Sequence, residues 1–153
     1  MKPETVAQAQ RRLEELVSFF GVNAQTTVTV DEGEQRVELD IASDTTGRLI
    51  GHHGETLRAI EYLLNMMMKE AAPNVRFGVD VAGYRQARAE QLADYARKVA
   101  AQVAQTGEEV TLRPLNPAER RIVHMTLADS PEVQTASHGE PPHRTLVIKK
   151  RSV

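Results

Sequence analysis

Two glycines spaced three residues apart interrupt a helical pattern in the first half of the chain. Gly51 and Gly54 flank His52 and His53, a short apolar run ends just before them, and a helix is predicted to begin at Glu55. Glycine adopts backbone conformations that other residues resist, and it lets another chain approach closely. A Gly-x-x-Gly turn at a helix N-terminus therefore presents backbone N–H groups and a positive dipole end to phosphate.

The spacing of the glycines excludes two common nucleotide-binding motifs. Gly47, Gly51 and Gly54 do not match the dinucleotide-binding turn, and no Gly-Lys-Ser/Thr follows them as in a P-loop. An ordinary helix–turn–helix corner, with no ligand, is the alternative interpretation. The candidate phosphate-binding residues of this stretch are Arg48, Gly51, His52, His53 and Gly54.

The periodicity of the apolar residues predicts the elements of the first half. Spacings of three and four residues predict helices over residues 4–20, over 45–50 with Asp44 as N-cap, and over about 55–71. Alternation of apolar and polar residues predicts three strands, and a turn around Gly33 joins the first two as a hairpin. The strands are predicted around Val28 and Val30, around Val37, Leu39 and Ile41, and over residues 75–82.

The helix after the loop has an apolar stripe that is predicted to face the core. The stripe consists of Leu57, Ile60, Leu63, Leu64 and Met67. Three consecutive methionines occupy residues 66–68. Because methionine adapts to irregular gaps, we interpret this run as filling for the core or for an interface, not as a metal site.

A long helix over residues 84–106 begins the second half, and a short strand over residues 109–113 follows it. Glu90 and Asp94 offset the basic residues of this helix, so most of the basic charges are predicted to belong to a solvated face; these residues are Arg85, Arg88, Arg97 and Lys98. The next helix has a strong start signal: Asn116 can cap it, proline follows, and Glu119 stands three residues after the cap. Two strands are then predicted over residues 133–137 and 144–148, with a loop over residues 138–143 between them.

Arg120 and His124 lie four residues apart on this helix and therefore one turn apart on the same face. The guanidinium is always charged and donates hydrogen bonds in a fork, and an imidazole can donate from either ring nitrogen. The two side chains together can bind one phosphate. Alternatively, the pair holds the following hairpin in place while Arg121 and Arg144 contact the ligand.

The order of the elements resembles two known domains. The α-β-β-α-α-β order with its Gly-x-x-Gly loop resembles a type II KH domain, an α+β fold in which helices cover one face of a three-stranded sheet and the loop binds single-stranded nucleic acid. The remainder resembles a small α/β domain named for its Arg-x-x-x-His signature, which also binds single-stranded nucleic acid. The matching residues are Arg120 and His124 in the signature, and Ser137, Gly139 and Arg144 in a Ser-x-Gly…Arg hairpin pattern. We therefore predict a KH domain over residues 4–82 and an Arg-x-x-x-His domain over residues 83–150.

This pair of domains, over nearly the full chain, is similar to the bacterial Jag family, also called SpoIIIJ-associated proteins. The resemblance implies a cytoplasmic regulator that binds single-stranded RNA, or single-stranded DNA, without a cofactor. It also implies a link to cell elongation, division and membrane-protein insertion. The implied partner is a small KH-domain protein, or a second copy of this chain, with no direct insertion into the membrane. The nucleic-acid-binding residues that we predict are Arg48, Gly51, His52, His53, Gly54, Arg120, Arg121, His124, Ser137, Gly139 and Arg144.

Two features depart from the family pattern. Members usually have basic residues between the two glycines, where this chain has His52 and His53. Because an ordinary imidazole has a pKa of about 6.5, we predict that RNA binding tightens as the pH falls from about 8 to about 6. Many members also have an additional N-terminal domain, whereas few residues precede the first predicted helix here, so the resemblance does not extend to functions of that domain, such as membrane-associated partner contacts.

The charge is distributed unevenly along the chain. The net charge of −2 argues against a broadly basic nucleic-acid-binding protein. Residues 1–43 have 4 basic and 8 acidic side chains, whereas residues 113–153 have 7 basic and 4 acidic ones. The C-terminal region is therefore the stronger attractor of anions. The acidic first half leaves open an alternative function, a protein-interaction scaffold with weak or no nucleic-acid binding.

Several other classes of protein find little support in the sequence. No apolar run approaches the roughly 18 residues that span a bilayer, no signal peptide is recognisable, and the absence of cysteine excludes disulfides and zinc–thiolate sites. A hydrolase would have to pair His124 with Ser137 or use a histidine-bound metal. The sequence indicates neither a carboxylate that would orient the histidine nor metal ligands that converge. The candidate metal ligands would be His52, His53, His138 and His143. We predict no catalytic residues, no metal and no cofactor.

Overall fold

The predicted pairing of the first two strands forms in the computed structural model, which describes residues 2–22, 24–31, 33, 36–42, 46–140 and 144–151. Strand β1 (Gln25–Asp31) pairs antiparallel with β2 (Arg36–Ala42), and β2 pairs in parallel with β3 (Arg76–Val81). The strand order is β1-β2-β3. This sheet belongs to the first of two units into which the chain divides, residues 1–85 and 86–153.

Helices of the first unit pack against one face of this sheet. They are α1 (Pro3–Ser18), α2 (Thr46–Ile50) and α3 (Glu55–Met68). The core contains alternate residues of β2 and β3 and one stripe from each long helix; among its members are Leu13, Leu39, Ile60, Leu64 and Phe77. The apolar residues of the alternating and helical patterns thus pack into a single layer between sheet and helices. This is the arrangement of the predicted α+β class, which is confirmed.

The predicted core stripe of α3 is partly wrong. The side chains of Leu63 and Met67 are 47% and 40% exposed, and Met68 is fully buried in their place. A helix on a small sheet buries only a stripe about 100° wide, and Met68 falls on that stripe, one turn after Leu64. Leu63 and Met67 instead join Tyr62 and Met66 in an exposed apolar stripe, to which we refer as the α3 stripe.

Side chains cover the outer edge of β3. Asn65 of α3 donates to the carbonyl of Phe77 at 2.7 Å and accepts from its N–H at 3.0 Å. Glu61, one turn earlier, accepts from the N–H of Val79 at 3.0 Å, and Arg85 donates to the Val79 carbonyl at 3.0 Å while it pairs with Glu61. Arg85 is exposed, as predicted for most charges of its helix, and its guanidinium also covers a sheet edge that unpaired peptide groups would leave open.

The second unit has a long helix, a short helix and a second three-stranded sheet. Its elements are α4 (Tyr84–Thr106), β4 (Val110–Thr111), α5 (Pro117–Leu127), β5 (Val133–His138) and β6 (Thr145–Lys150). The strand order is β4-β6-β5, and both pairings are antiparallel, so the predicted final hairpin is confirmed. A core of Leu92, Val103, Val123, Leu146, Ile148 and their neighbours joins the helices to this sheet.

The ends of several elements differ from the predictions. Helix α1 ends at Ser18 and α3 at Met68, each two or three residues early, because turns begin there. Strand β4 has two residues instead of five. Asp44, His143 and part of the predicted turn over residues 31–34 lie outside the described residues. The predicted domain limits, 4–82 and 83–150, stay a prediction.

Candidate nucleic-acid interface

The glycine loop has an unusual backbone between α2 and α3. Gly51 has φ 69° and ψ −170°, a single 3-10 turn spans His52–Gly54, and Gly54 has φ 79° and ψ 17° as the N-cap of α3. His53 also has a positive φ, of 52°. Non-glycine residues rarely adopt this conformation, although histidine does so more often than most. Turns of this kind direct successive N–H groups into a concavity that suits anions.

Both glycines of the loop occupy positions that favour glycine, for different reasons. A Cβ atom on Gly51 would lie 2.1 Å from Oγ1 of Thr56 and 3.0 Å from its backbone nitrogen. A Cβ atom on Gly54 would lie 2.9 Å from a ring carbon of Tyr84. The contacts at Gly51 include the Cβ and backbone nitrogen of Thr56, which cannot move away easily, so glycine is sterically required there. At Gly54 the tyrosine ring can shift, and the positive φ is the stronger reason for glycine.

The residues of the loop differ in their accessibility. His52 is exposed, Gly51 and His53 are half-buried, and Gly54 is buried. The two imidazole rings lie next to each other, with centroids 3.9 Å apart. A ligand can therefore reach the side of the loop that His52 presents, whereas the role of Gly54 in the described structure is to shape the backbone.

Two arginines flank the loop, one on each helix. Arg48 of α2 is exposed, and its Nη1 donates to the carbonyl of Phe20 at 3.5 Å. Arg58 of α3 is half-buried, and its Nε donates to the carbonyl of Gly54 at 3.4 Å. Arg58 was missed by the sequence reasoning, although its position four residues after Gly54 places it one helical turn away. Its guanidinium gives the histidine-containing loop a permanent charge.

The start of α5 is built as the sequence predicts. The side chain of Asn116 accepts from the N–H of Glu119 at 3.0 Å, and the carboxylate of Glu119 accepts from the N–H of Asn116 at 3.1 Å. This capping box satisfies two N–H groups that the first helical turn would otherwise leave unpaired. It also defines where the helix begins and hence the direction in which Arg120 and His124 extend.

Arg120 and His124 are each anchored within the second unit. Nη1 of Arg120 donates to the carbonyl of Leu115 at 2.9 Å. Nδ1 of His124 lies 2.6 Å from Oγ1 of Thr135, on β5. His124 thus contacts the hairpin, as the structural alternative for this pair proposed, while Arg120 contacts the segment before α5. Both side chains nevertheless keep donors that these contacts do not use.

A shallow cavity of about 330 Å³ lies between α5 and the hairpin. Its lining consists of Arg120, Arg121, His124, Thr135, Ser137 and Leu146. Four of these were predicted site residues, and they come from two elements that are distant in sequence. Thr135 and Leu146 were missed, although Thr135 could have been inferred from its position two residues before Ser137, on the same face of a strand.

The other two predicted residues of the hairpin lie elsewhere. Gly139, with φ 84°, follows the end of β5, and Arg144 precedes the start of β6. Both are exposed, and neither lines the cavity. The cavity therefore combines two arginines, one histidine and a serine hydroxyl, which are all donors that suit a phosphate, over an apolar floor at Leu146.

The described residues offer little to other chemistries. They contain no group of three or more histidine, aspartate and glutamate side chains that could hold a metal ion. Within the same residues, no helix has both the length and the apolar character of a membrane span.

Comparison with known proteins relates both units to nucleic-acid-binding families. Residues 10–80 match the family described as KhpA/KhpB, KH domain, and residues 90–150 match the R-3-H domain, which is named for the Arg-x-x-x-His signature. RNA-binding protein KhpB of Bacillus subtilis strain 168 is 31% identical to this chain, over 98% of the chain and 73% of that protein. The chain belongs to the KhpB/Jag family. The resemblance inferred from the sequence is thereby confirmed.

Other members of the KhpB/Jag family are longer than the matched region. RNA-binding protein KhpB of Clostridium symbiosum is 34% identical over 89% of this chain, and the match covers 62% of that protein. The protein of the same name from Lactiplantibacillus plantarum is 36% identical over 89% of this chain and 42% of its own length. The chain thus spans less than two thirds of these two relatives.

Proposed function

We propose that this chain binds single-stranded RNA through the phosphate backbone, with no catalytic role. The observation on which this depends is the cavity of the second unit, where Arg120, Arg121 and His124 converge with the hydroxyl of Ser137. Phosphate contacts require donors and positive charge, and this cavity supplies both without any carboxylate among its lining residues. The names of the relatives, RNA-binding protein KhpB, support the same ligand.

The loop of the first unit is proposed as a second phosphate-binding surface. Its backbone turn and the N-terminus of α3 provide N–H groups, and Arg48 and Arg58 provide charge on either side. Each surface can be tested by itself, since each belongs to one unit.

Anisotropy of a labelled single strand tests the proposal directly. We expect the purified chain to bind an RNA 20-mer of mixed sequence with an affinity that falls as salt rises, and Arg121→Ala to reduce the slope of log K against log salt by about 0.7. A DNA strand of the same sequence measures any preference for the ribose hydroxyl. Affinity that ignores salt, together with no absorbance excess at 260 nm after purification, would favour the scaffold alternative.

The α3 stripe supports a proposed protein partner. Tyr62, Leu63, Met66 and Met67 form a continuous exposed apolar surface at helical spacing. Such surfaces often mark interaction sites, and methionines adapt to several partners. We assign this surface to a small KH-domain protein or to a second copy of this chain. Sedimentation of the wild type and of Met66→Lys, alone and with the KH-domain protein, distinguishes the two.

The cellular setting follows from the family and is part of the proposal. We place the chain in the cytoplasm, as a post-transcriptional regulator linked to cell elongation and division. Depletion in the native cell, followed by cell-length measurement and sequencing of RNA crosslinked to the protein, tests both statements. If RNA is crosslinked to the protein but cell length does not change, the proposed RNA binding stands and the proposed link to elongation is wrong.

A further inference from the structure

One hydrogen bond joins the two elements that form the cavity of the second unit. Nδ1 of His124, on α5, lies 2.6 Å from Oγ1 of Thr135, on β5. Thr135 is half-buried, and His124 is exposed beside it. The distance is short for a nitrogen–oxygen pair, so the threonine hydroxyl and the imidazole are in direct contact. The other ring nitrogen, Nε2, takes no part in this bond and is therefore available to a ligand.

The bond with Thr135 is compatible with either neutral tautomer of His124, because the hydroxyl can donate to Nδ1 or accept from Nδ1–H. Two states of the ring leave a hydrogen on Nε2, and these are the states that can donate to a phosphate. When the imidazole is neutral and its proton is on Nε2, Nδ1 is an acceptor and the hydroxyl of Thr135 donates to it. When the imidazole is protonated, Nδ1–H donates to the same oxygen. In both states Nε2 carries a hydrogen and can donate to a phosphate, because the threonine hydroxyl switches between donor and acceptor.

We propose that Thr135 is a positioning residue for RNA binding: it holds the imidazole of His124 with Nε2–H as its free donor. The inference rests on the proposed function, since the acceptor of that donor is an RNA phosphate. It allows His124 to contribute a hydrogen bond whether or not the ring is charged, because Nε2–H donates in both states. Ring orientation in histidine sites is commonly fixed by a partner on the other nitrogen, and here that partner is a hydroxyl.

The surroundings of His124 supply the positive charge of the cavity. Arg120 and Arg121, on the same helix, are the charged groups among the residues that line the cavity. Strands β5 and β6 contribute Thr135, Ser137 and Leu146, which have no charge. The charge for phosphate binding therefore comes from the arginines, and the histidine adds a directed hydrogen bond.

A double-mutant cycle at pH 8 tests the proposal. We expect Thr135→Ala to weaken RNA binding about fivefold, Thr135→Ser to restore it because the hydroxyl returns, and Thr135→Ala to have no further effect in a His124→Ala background. Thr145→Ala is the matched control, since Thr145 belongs to the same hairpin and lies outside the cavity lining. Its affinity should equal that of the wild type.

Nitrogen NMR of the free protein gives a readout that does not depend on RNA. The ring-nitrogen shifts of His124, assigned by comparison with His124→Asn, should report a proton on Nε2 in the wild type and in Thr135→Ser. In Thr135→Ala the two neutral tautomers should mix. This measurement also covers the case in which Thr135→Ala is too unstable for binding studies, because the wild type and the serine variant still report the proton position.

The outcomes separate the inference from the proposed function. Additive effects of Thr135→Ala and His124→Ala, a failure of Thr135→Ser to restore binding, or a proton on Nδ1 in the wild type would each overturn the positioning role while RNA binding stands. A wild-type chain that binds no RNA at any salt concentration would overturn both.

Discussion

The guanidinium of Arg88 donates two hydrogen bonds to one oxygen of Glu119, from Nε at 2.9 Å and from Nη2 at 2.7 Å. The two side chains are 13% and 8% exposed, so the pair lies largely out of water. The second oxygen of Glu119 accepts from the N–H of Asn116 in the capping box. Arg88 therefore connects α4 to the first turn of α5, immediately before Arg120. Arg88 is thus the exception to the prediction that most charges of α4 are solvated, since Arg85, Arg97 and Lys98 are exposed.

Replacement of Arg88 by methionine should destabilise the second unit. The change preserves much of the side-chain volume but leaves the buried carboxylate of Glu119 without its cation, which costs about 2–4 kcal/mol. The matching fall in the midpoint of thermal unfolding is at least about 10 °C for a unit of this size. Thermal unfolding followed by circular dichroism measures it.

The control for this experiment is Arg97→Met, on the same helix. Arg97 pairs with Asp94 at the surface, where both side chains are more than 60% exposed, and pairs of this kind contribute less than about 1 kcal/mol. Equal midpoints for the two variants would show that burial of the Arg88 pair is not what stabilises the start of α5.

Substitution of the loop glycines should separate three positions that look alike in the sequence. Gly51→Ala combines a contact of 2.1 Å with a backbone conformation that is nearly restricted to glycine, so we expect it to destabilise the first unit by more than about 2 kcal/mol. Gly54→Ala should cost about 1–2 kcal/mol, since its Cβ meets Tyr84 and its φ is positive. Denaturant titration of each variant gives these values.

Gly47→Ala is the internal control for the loop series. Gly47 lies in α2, and a Cβ atom there has nothing within 4 Å. Alanine is the better helix former by up to about 1 kcal/mol, so this variant should be as stable as the wild type or more stable. Destabilisation comparable to that of Gly51→Ala would mean that the steric account of the loop is incorrect.

Local patterns in the sequence predicted most of the helices and strands and part of the candidate interface. The capping box at Asn116 and Glu119, the final hairpin and the helix after Gly54 depend on neighbours in sequence, so periodicity and capping rules indicate them. Contacts between distant residues were not predicted. The Arg88–Glu119 pair spans 31 residues, and the Thr135–His124 bond depends on the packing of α5 over a strand. Leu63 and Met67 were misassigned because periodicity alone does not give the width of the buried stripe.

The two histidines of the loop should make RNA binding depend on pH. Imidazoles gain charge between about pH 8 and about pH 6, and each added charge near the loop should tighten phosphate binding. We expect an increase in affinity of about fivefold over this range, and a much smaller one in His52→Asn/His53→Asn. Asparagine is the suitable replacement for His53 because it tolerates a positive φ. Anisotropy at constant salt measures both proteins.

A charge reversal at the same positions provides the opposing test. His52→Asp/His53→Asp should bind RNA at pH 8 more weakly than the asparagine pair, because two carboxylates would oppose phosphate at the loop. Aspartate also tolerates a left-handed backbone, so the loop conformation is retained. If the aspartate and asparagine pairs bind equally, the loop does not contact the phosphate backbone.

Arg58 should supply a permanent positive charge beside the glycine loop. Its Nε already donates to the carbonyl of Gly54, which holds the guanidinium beside the loop. We expect Arg58→Gln to weaken RNA binding about fivefold at pH 8 and to lower the salt slope by about 0.7, as for one lost phosphate contact. Arg12→Gln, an exposed arginine of α1 that pairs with Glu15, is the control within the same unit. Its salt slope should be that of the wild type.

Arg120 and Arg121 should differ in what their loss affects. Arg121 is exposed and lines the cavity. Arg121→Ala should therefore weaken RNA binding and leave the free energy of unfolding within about 0.5 kcal/mol of the wild type. Arg120 also donates to the carbonyl of Leu115, which Arg120→Ala leaves without this donor at a cost of about 1 kcal/mol. Parallel measurement of affinity and unfolding separates the two effects. The contrary outcome is that Arg121→Ala lowers stability as much as Arg120→Ala does, with RNA affinity unchanged in both variants. The cavity would then only hold α5 against the hairpin, and the exposed Arg144 would be the next candidate for phosphate binding in the second unit.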